Sequence, residues 1–186
     1  MAETQYVALL RGINVGGNNL IKMADLKACF EKMGLANIAT YIQSGNVLFS
    51  TPEKNKTRLI NTIEKALSES FAYNSRIVLI TYQHLKSIVA EAPPGFGQQK
   101  DTYRYDVIFL KEPLTAAEAI KSVTTKAGVD TAHQGQEVLY FSRLSSKATQ
   151  SHIRKIISMP IYQNMTIRNW NTTTALLARL DASAGN

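Results

Sequence analysis

Apolar residues in the first half of the chain follow two periodicities, one typical of strands and one typical of helices. Residues 5–11 form a short apolar run that ends at Gly12, as a buried strand does. Leu59, Ile63 and Leu67 recur every four residues and predict one buried helical stripe. In chain order, the predicted elements are a strand at 5–11, a helix at 26–33, strands at 38–43 and 46–49, a helix opened by Thr51-Pro52 with its stripe at 59–71, and a strand at 76–81. This order is β-α-β-β-α-β, the ferredoxin-like pattern.

The second half repeats this order after a segment rich in proline, glycine and polar residues. Residues 93–100 (PPGFGQQK) are the predicted connection between a first half, residues 1–92, and a second half, residues 101–186. The predicted elements after the first half's last strand are a short helix at 84–90, a strand at 103–110, a helix opened by the capping box Thr115–Glu118, hairpin strands at 131–133 and 138–142, a helix at 153–157, a strand at 165–168 and a closing helix at 176–180. The hairpin sequences SGNVLFS and GQEVLYFS are alike, which favours a duplication.

The fold class that follows is α+β, with two ferredoxin-like β-α-β-β-α-β halves packed into one compact body. Residues 6–10 (YVALL) and 76–80 (RIVLI) are apolar at odd and even positions alike. A strand with one wet face would alternate, so we expect both faces of the sheet to be covered. Helices can cover one face, and the other face would pack against the second half or against a partner chain.

Charge is concentrated in one part of the second half. The chain has 186 residues and a formal net charge of +7, from 21 Lys and Arg against 14 Asp and Glu. Residues 138–180 contain six basic residues and no acidic residue. Such a segment attracts nucleic acid, phosphorylated ligands or an acidic protein surface, and the alternative is a solvated basic surface that aids solubility.

The cysteine count and the hydropathy indicate the compartment. A single cysteine, Cys29, cannot form an internal disulfide, which favours the cytoplasm. No run of residues approaches the roughly 18 unbroken apolar positions of a membrane span, so we expect no membrane partner. Self-association stays open as an alternative.

The first candidate site lies where the loop after the first strand should meet the first hairpin turn. In a β-α-β-β arrangement these two loops lie at the same end of the sheet. Glycine-rich backbone before a helix suits an anion, although neither a dinucleotide nor a P-loop motif is present. The alternative is that the glycines only let the loop turn sharply. The candidate ligand-binding residues are Arg11, Asn14, Asn18, Lys22, Ser44 and Asn46.

The second candidate site lies at one end of the second half, inside the acid-free segment. Residues 143–149 (RLSSKAT) and 168–172 (RNWNT) should come together there. Arg143, Lys147 and Arg168 are candidates to bind phosphate, Asn169 is a further candidate ligand-binding residue, and Trp170 is a candidate to stack a base. The alternative is structural, with Asn169 or Asn171 capping a helix and Trp170 buried as an anchor.

Catalytic and metal-binding patterns are sparse. The three histidines, His84, His133 and His152, fall on different predicted elements, and there is no cysteine pair, so no metal and no cofactor is expected. Cys29 shares the apolar stripe of its helix, which favours a buried inert thiol over a nucleophile.

Five segments of the chain together resemble a known bacterial family. They are YVALLRGINVGGNN, YIQSGNVLFS, YDVIFLKEPL, VLYFSRLSSKATQS and MTIRNWNTTTALL. In combination they look like the family catalogued as domain of unknown function 1697, over roughly residues 5–180. The resemblance implies an α+β fold with a duplicated ferredoxin-like core. It implies no activity and no functional residue.

Three functions therefore compete. The leading hypothesis is a protein that binds an anionic ligand, either nucleic acid or a phosphorylated metabolite, through its Gly/Asn and basic loops. The alternatives are a small-molecule enzyme with a phosphate or carboxylate pocket near Arg11, and an oligomerisation or interaction module.

Overall fold

The computed structural model describes residues 3–14, 17 and 19–184. The strands are β1 (Thr4–Leu10), β2 (Ala36–Tyr41), β3 (Asn46–Thr51), β4 (Ile77–Thr81), β5 (Tyr103–Leu110), β6 (Asp130–Gln134), β7 (Val138–Leu144) and β8 (Met165–Asn169). The α-helices are α1 (Met23–Lys32), α2 (Lys56–Phe71), α3 (Tyr82–Ala90), α4 (Ala116–Ser122), α5 (Ile153–Ser158) and α6 (Trp170–Ala184). Two 3₁₀ helices, Ser145–Gln150 and Pro160–Asn164, flank α5.

The chain divides into two compact units. The first contains Met1–Leu85 and Leu176–Asn186, and the second contains Lys86–Ala175. One limit between the units falls inside α3, and the other falls inside α6. The predicted connection, residues 93–100, lies within the second unit. There Phe96 packs edge-on against Tyr105 and Tyr140, with ring centroids 4.9 and 5.4 Å apart, so this segment belongs to the packed body of that unit.

Each unit has one four-stranded sheet in which all neighbouring strands are antiparallel. The strand order is β2-β3-β1-β4 in the first unit and β6-β7-β5-β8 in the second. In both sheets the first helix carries the chain to a strand two positions away from the starting strand. The next strand then occupies the position between these two. The predicted α+β class and the two β-α-β-β-α-β halves are confirmed.

Apolar stripes on the helices build the core of the first unit. Leu59, Ile63 and Leu67 of α2 are buried, as their spacing predicted. Cys29 on α1 is also buried, with its sulfur 3.5 Å from the Ser70 hydroxyl. The prediction that Thr51-Pro52 opens α2 is wrong. Thr51 is still paired within the sheet, and Asn55 caps the helix by accepting a hydrogen bond from the Arg58 N–H at 2.9 Å.

Strands β5 and β8 differ in length, and this difference shapes one end of the second sheet. The pairing of β8 with β5 begins at Asn169 opposite Asp106. Beyond that pair the chain turns into α6 at Trp170, so Tyr103–Tyr105 of β5 are not paired with β8. These three residues pair only with β7 on their other side. A gap next to β5 therefore opens at this end of the sheet.

Candidate functional site

The two loops of the first candidate site lie together. The Leu10 N–H donates to the Gly45 carbonyl at 2.8 Å, and the Asn14 side-chain amide donates to the Gln43 carbonyl at 2.9 Å. The loop after β1 and the turn between β2 and β3 are thus joined at one end of the first sheet. Asn18, which was also predicted for this site, lies outside the described residues.

The amide side chains of this first cluster are used by the protein's own backbone. Asn14 Oδ1 accepts from the Ile21 N–H at 2.8 Å, and its Nδ2 donates to the Ile21 carbonyl at 3.0 Å. Asn46 is fully buried, and its Nδ2 donates to the Tyr41 carbonyl and to the Ser44 hydroxyl, both at 2.9 Å. A ligand in solvent cannot reach Asn46. These residues hold the loop and the hairpin in shape, which agrees with the structural alternative for this cluster.

The two basic residues of the first cluster differ in their exposure. Arg11 is half-buried at the end of β1, and its backbone N–H donates to the Arg76 carbonyl at 2.9 Å. Lys22 is exposed at the N-terminal end of α1, and its side chain makes no capping hydrogen bond. The described part of this cluster therefore offers cations but few available amide groups.

The second candidate site contains a pair of arginines on neighbouring strands. Arg143 of β7 lies directly opposite Arg104 of β5, and both lie on the face of the sheet that carries α4 and α5. Directly opposite residues have Cβ atoms about 4.5–5.5 Å apart, and like charges in such a pair are destabilising. The register of this sheet therefore places two arginine side chains side by side on one face.

A buried carboxylate offsets part of this charge. Asp106 Oδ2 lies 2.8 Å from Arg143 Nη1, and the two side chains keep only 8% and 17% of their surface exposed. Burial raises the pKa of the Asp106 carboxyl, while the charges of Arg143 and Arg104 and a hydrogen bond from Asn169 act in the opposite direction. Asp106 is the ion-pair partner of Arg143, and Arg104 is the neighbour of that pair on β5.

Another carboxylate next to Arg143 is engaged elsewhere. Asp130 of β6 is the register partner of Arg143 on the side away from Arg104. Its Oδ2 accepts the backbone N–H groups of Lys126 at 3.0 Å and His152 at 2.8 Å. Asp130 is buried and is not among the residues that line the cavities beside Arg143. It holds the segments that precede β6 and α5, and its side chain lies outside the cavity walls.

Two cavities of about 430 Å³ each share Arg104 and Arg143 in their walls. One occupies the gap next to β5, and the other lies against the 3₁₀ helix and α5. The first is lined by Lys100, Tyr103, Arg104, Tyr105, Asp106, Arg143, Asn169, Trp170 and Asn171. The second is lined by Arg104, Arg143, Ser145, Ser146, Ala148, Thr149, Ile153 and Arg154. We call the two together the arginine groove. Its walls hold four basic side chains and one carboxylate.

Two residues predicted for this site lie away from the arginine groove. Arg168 alternates with Asn169 along β8, so it lies on the opposite face of the sheet, where it is 8% exposed. Its Nη1 donates to the Ile167 carbonyl at 2.9 Å, and burial lowers its pKa to about 10. Lys147 is exposed on the 3₁₀ helix and is not among the groove residues. The prediction that these two residues join Arg143 in a phosphate site is corrected, because period-two alternation places Arg168 on the other face of the sheet and Lys147 is not among the residues of the groove walls.

Asn169 and Trp170 line the groove and also hold it in place. Asn169 Nδ2 donates to the Tyr105 carbonyl at 3.1 Å, and its Oδ1 accepts the Asn171 N–H at 2.9 Å. The Trp170 ring meets Phe96 edge-on, with centroids 5.1 Å apart. Gly97, at φ +81°, lies so close to the indole that a Cβ there would overlap it. The packing of Trp170 agrees with the structural alternative, an anchor at the groove wall.

Sequence reasoning missed Lys100, Arg104, Asp106 and Arg154 as groove residues. A signal was present in β5, where the sequence YRYDV alternates aromatic with charged side chains before the apolar run begins. Charged residues at positions i and i+2 of a strand lie on one face, and that pattern marks Arg104 and Asp106 as neighbours. Nothing local in the sequence marks Lys100 or Arg154.

The described residues hold neither a metal-binding group nor a membrane-spanning helix. No group of three or more His, Cys, Asp or Glu side chains in this part of the chain is placed to hold a metal ion. None of the helices described here combines the length and the apolar character needed to cross a membrane.

Comparisons with known proteins agree with the fold and the resemblance. The family model described as protein of unknown function (DUF1697) matches residues 3–140. The solved structure of the conserved bacterial protein SP0830 from Streptococcus pneumoniae is similar, with 25% sequence identity and a TM-score of 0.83. That similarity covers 95% of this chain and 98% of the other. No curated protein matches the chain.

Proposed function

The chain belongs to the DUF1697 family of proteins of unknown function, and we propose that it binds a phosphorylated small molecule in the arginine groove. One observation carries the proposal. Arg104 and Arg143 face each other across β5 and β7, where like charges repel, and of the carboxylates Asp106 lines the groove, where it pairs with Arg143. An anion bound between the two guanidinium groups would relieve that repulsion.

The chemistry of the groove walls suits a phosphate group. Guanidinium groups bind phosphate oxygens through paired N–H donors, and these charge-assisted hydrogen bonds are about twice as strong as neutral ones. Ser145, Ser146 and Thr149 add hydroxyl groups beside Arg154. Lys100 adds a further cation to the wall of the cavity that occupies the gap next to β5. Donors therefore line both cavities, and Arg104 and Arg143 are common to the two.

The size of the cavities favours a small ligand over a nucleic-acid strand. Each cavity has a volume of about 430 Å³, within the range of roughly 300–1,000 Å³ that is usual for small-molecule sites. A strand would need a longer basic track, and Arg168, which belongs to the acid-free segment, is buried on the other face of the sheet. The ligand is sought among cytoplasmic metabolites, because the single Cys29 favours that compartment.

The other functions considered have less support. The cluster near Arg11 contributes its Asn14 and Asn46 amides to backbone hydrogen bonds, which leaves few groups for a substrate. An interaction module would present an apolar surface. Among the described residues, the large hydrophobic side chains that are exposed are Leu20, Ile42 and Ile157.

The test is a titration of the protein with inorganic pyrophosphate. Heat of binding is measured by calorimetry, and the fluorescence of Trp170, the only tryptophan, is followed in parallel because its ring lines the groove. Arg104→Ala should weaken binding at least about tenfold, since a hydrogen bond to a charged group contributes roughly 1.5–3 kcal/mol. Lys147→Ala removes the same charge from the same unit but outside the groove, and it should bind as the wild type does.

Two outcomes would overturn the proposal. The first is equal loss of pyrophosphate affinity in the Arg104 and Lys147 variants, which would show that only net charge matters. The second is tight binding of a labelled single-stranded oligonucleotide, with a steep salt dependence, by a protein that does not bind pyrophosphate. That result would make the ligand a nucleic acid.

A further inference from the structure

An aromatic side chain continues the arginine groove into a third cavity. Tyr103 lines the cavity that holds Arg104 and Arg143, and it also lines a neighbouring cavity of about 300 Å³. We infer that the bound phosphorylated molecule is a nucleotide, whose base lies against Tyr103 while its phosphate lies between Arg104 and Arg143. This inference rests on the proposed function and adds the class of ligand.

The backbone of β5 places the two halves of such a ligand next to each other. Tyr103 and Arg104 are consecutive residues, so their side chains lie on opposite faces of the strand. Elsewhere in a sheet the neighbouring strands would separate the two faces. Here Tyr103–Tyr105 are not paired with β8, and the gap next to β5 connects one face with the other. A single molecule can therefore contact the arginine pair and the tyrosine ring at once.

The third cavity has the walls that a base requires. Tyr103 is half-buried and is supported by Tyr105, with ring centroids 6.2 Å apart. Stacking on a supported aromatic ring tolerates different bases, because every base presents a π face. Polar groups that can meet the edge of a base complete the lining: Gln99, Thr131, His133 and Ser142.

Trp170 is not the ring on which the base stacks. Its indole meets Phe96 edge-on at 5.1 Å and lies against Gly97, so a local loop already covers it. Tyr103 differs because it lines two cavities and has no ring contact among the described residues except the one with Tyr105. The base-binding role predicted for Trp170 is thus reassigned to Tyr103.

The experiment compares ligands with and without a base on three proteins. Adenosine and guanosine 5′-monophosphates and ribose 5-phosphate are titrated against wild type, Tyr103→Leu and Tyr103→Phe, with calorimetry and Trp170 fluorescence as readouts. We expect the nucleotides to bind wild type about tenfold or more tightly than ribose 5-phosphate, from the usual contribution of one stacked base. Tyr103→Leu should lose that advantage and keep its ribose 5-phosphate affinity. Tyr103→Phe should retain both.

The outcomes separate this inference from the proposed function. Equal affinities for ribose 5-phosphate and the nucleotides, with no effect of Tyr103→Leu, would overturn the base site and leave the phosphate site standing. Weakened binding of every ligand in Tyr103→Leu, including ribose 5-phosphate, would also overturn it, because the residue would then act only on the fold of the groove. Failure of all three ligands and of pyrophosphate would reject the phosphate site itself.

Discussion

Replacing Arg143 with methionine removes the cation that is paired with the buried Asp106 carboxylate. Methionine keeps an unbranched apolar chain in place of the arginine stem, so the main loss is the charge. The ion pair is close, with 2.8 Å between Nη1 and Oδ2, and Asp106 keeps only 8% of its side-chain surface exposed. Arg143→Met therefore leaves a carboxylate in a nearly dry environment.

The expected cost follows from that burial. Removing one partner of a buried pair costs about 3–5 kcal/mol, because the remaining charge has lost its counter-ion. Arg104 and Asn169 still act on Asp106, and Arg143 itself is 17% exposed. Both facts favour the lower end of this energy range, so we expect the free energy of unfolding to fall by about 3 kcal/mol at pH 7.

The loss should shrink as the pH falls. Burial already raises the pKa of Asp106 in the folded protein, and removing Arg143 raises it further. A carboxyl whose folded pKa lies above its unfolded value of about 3.8 is destabilising where it must ionise in the folded state. That penalty grows as the pH rises from the unfolded pKa to the folded pKa, and it is absent well below the unfolded value. The difference between variant and wild type is therefore largest at neutral pH.

Urea unfolding at pH 7 and pH 4, followed by Trp170 fluorescence, measures this difference in the unit that contains the pair. The double variant Asp106→Asn with Arg143→Met should recover most of the loss. Arg154→Met is the control, because Arg154 lines the same groove but is exposed and should change stability by less than about 0.5 kcal/mol. An equal loss at both pH values, or no recovery in the double variant, would refute the buried-charge explanation.

Two pairs of glycines give matched tests of close packing. Gly45 and Gly34 share φ +74°, but a Cβ at Gly45 would lie 2.7 Å from a side-chain carbon of the loop after β1, whereas Gly34 has nothing within 4 Å. In denaturation followed by circular dichroism, Gly34→Ala should lower the free energy of unfolding by about 1–2 kcal/mol, because alanine is strained at this positive φ. Gly45→Ala should lower it by about 1–3 kcal/mol more, because its Cβ also overlaps the loop. Equal losses in the two variants would contradict this steric account. Gly97→Ala should displace the Trp170 ring and change its near-ultraviolet circular dichroism. Gly95 has a similar φ but lies in open space, so Gly95→Ala should leave that spectrum unchanged. An unchanged spectrum in both Gly97→Ala and Gly95→Ala would contradict the contact between Gly97 and Trp170.

The sequence by itself determined the elements and their order. Strand and helix periodicities depend on residues two to four positions apart, and these local patterns survive without knowledge of the partner elements. The capping box of Thr115 and Glu118 is confirmed for the same reason, since both of its hydrogen bonds join residues three apart. The meeting of the loop after β1 with the β2–β3 turn also followed, because the connections of a β-α-β-β unit leave those loops at one end of the sheet.

Only the tertiary structure decided which polar side chains line the arginine groove and which serve the fold. Asn46 and Arg168 look like binding groups in the sequence, yet one is fully buried and the other lies on the far face of β8. The arginine groove depends on contacts between distant segments: Arg104 meets Arg143 through strand register, and β8 ends beside Asp106. A polar or charged side chain whose partner is distant in the sequence has no defined contact until such long-range pairing is set. For that reason the halves could be derived from the pattern alone, and the groove could not.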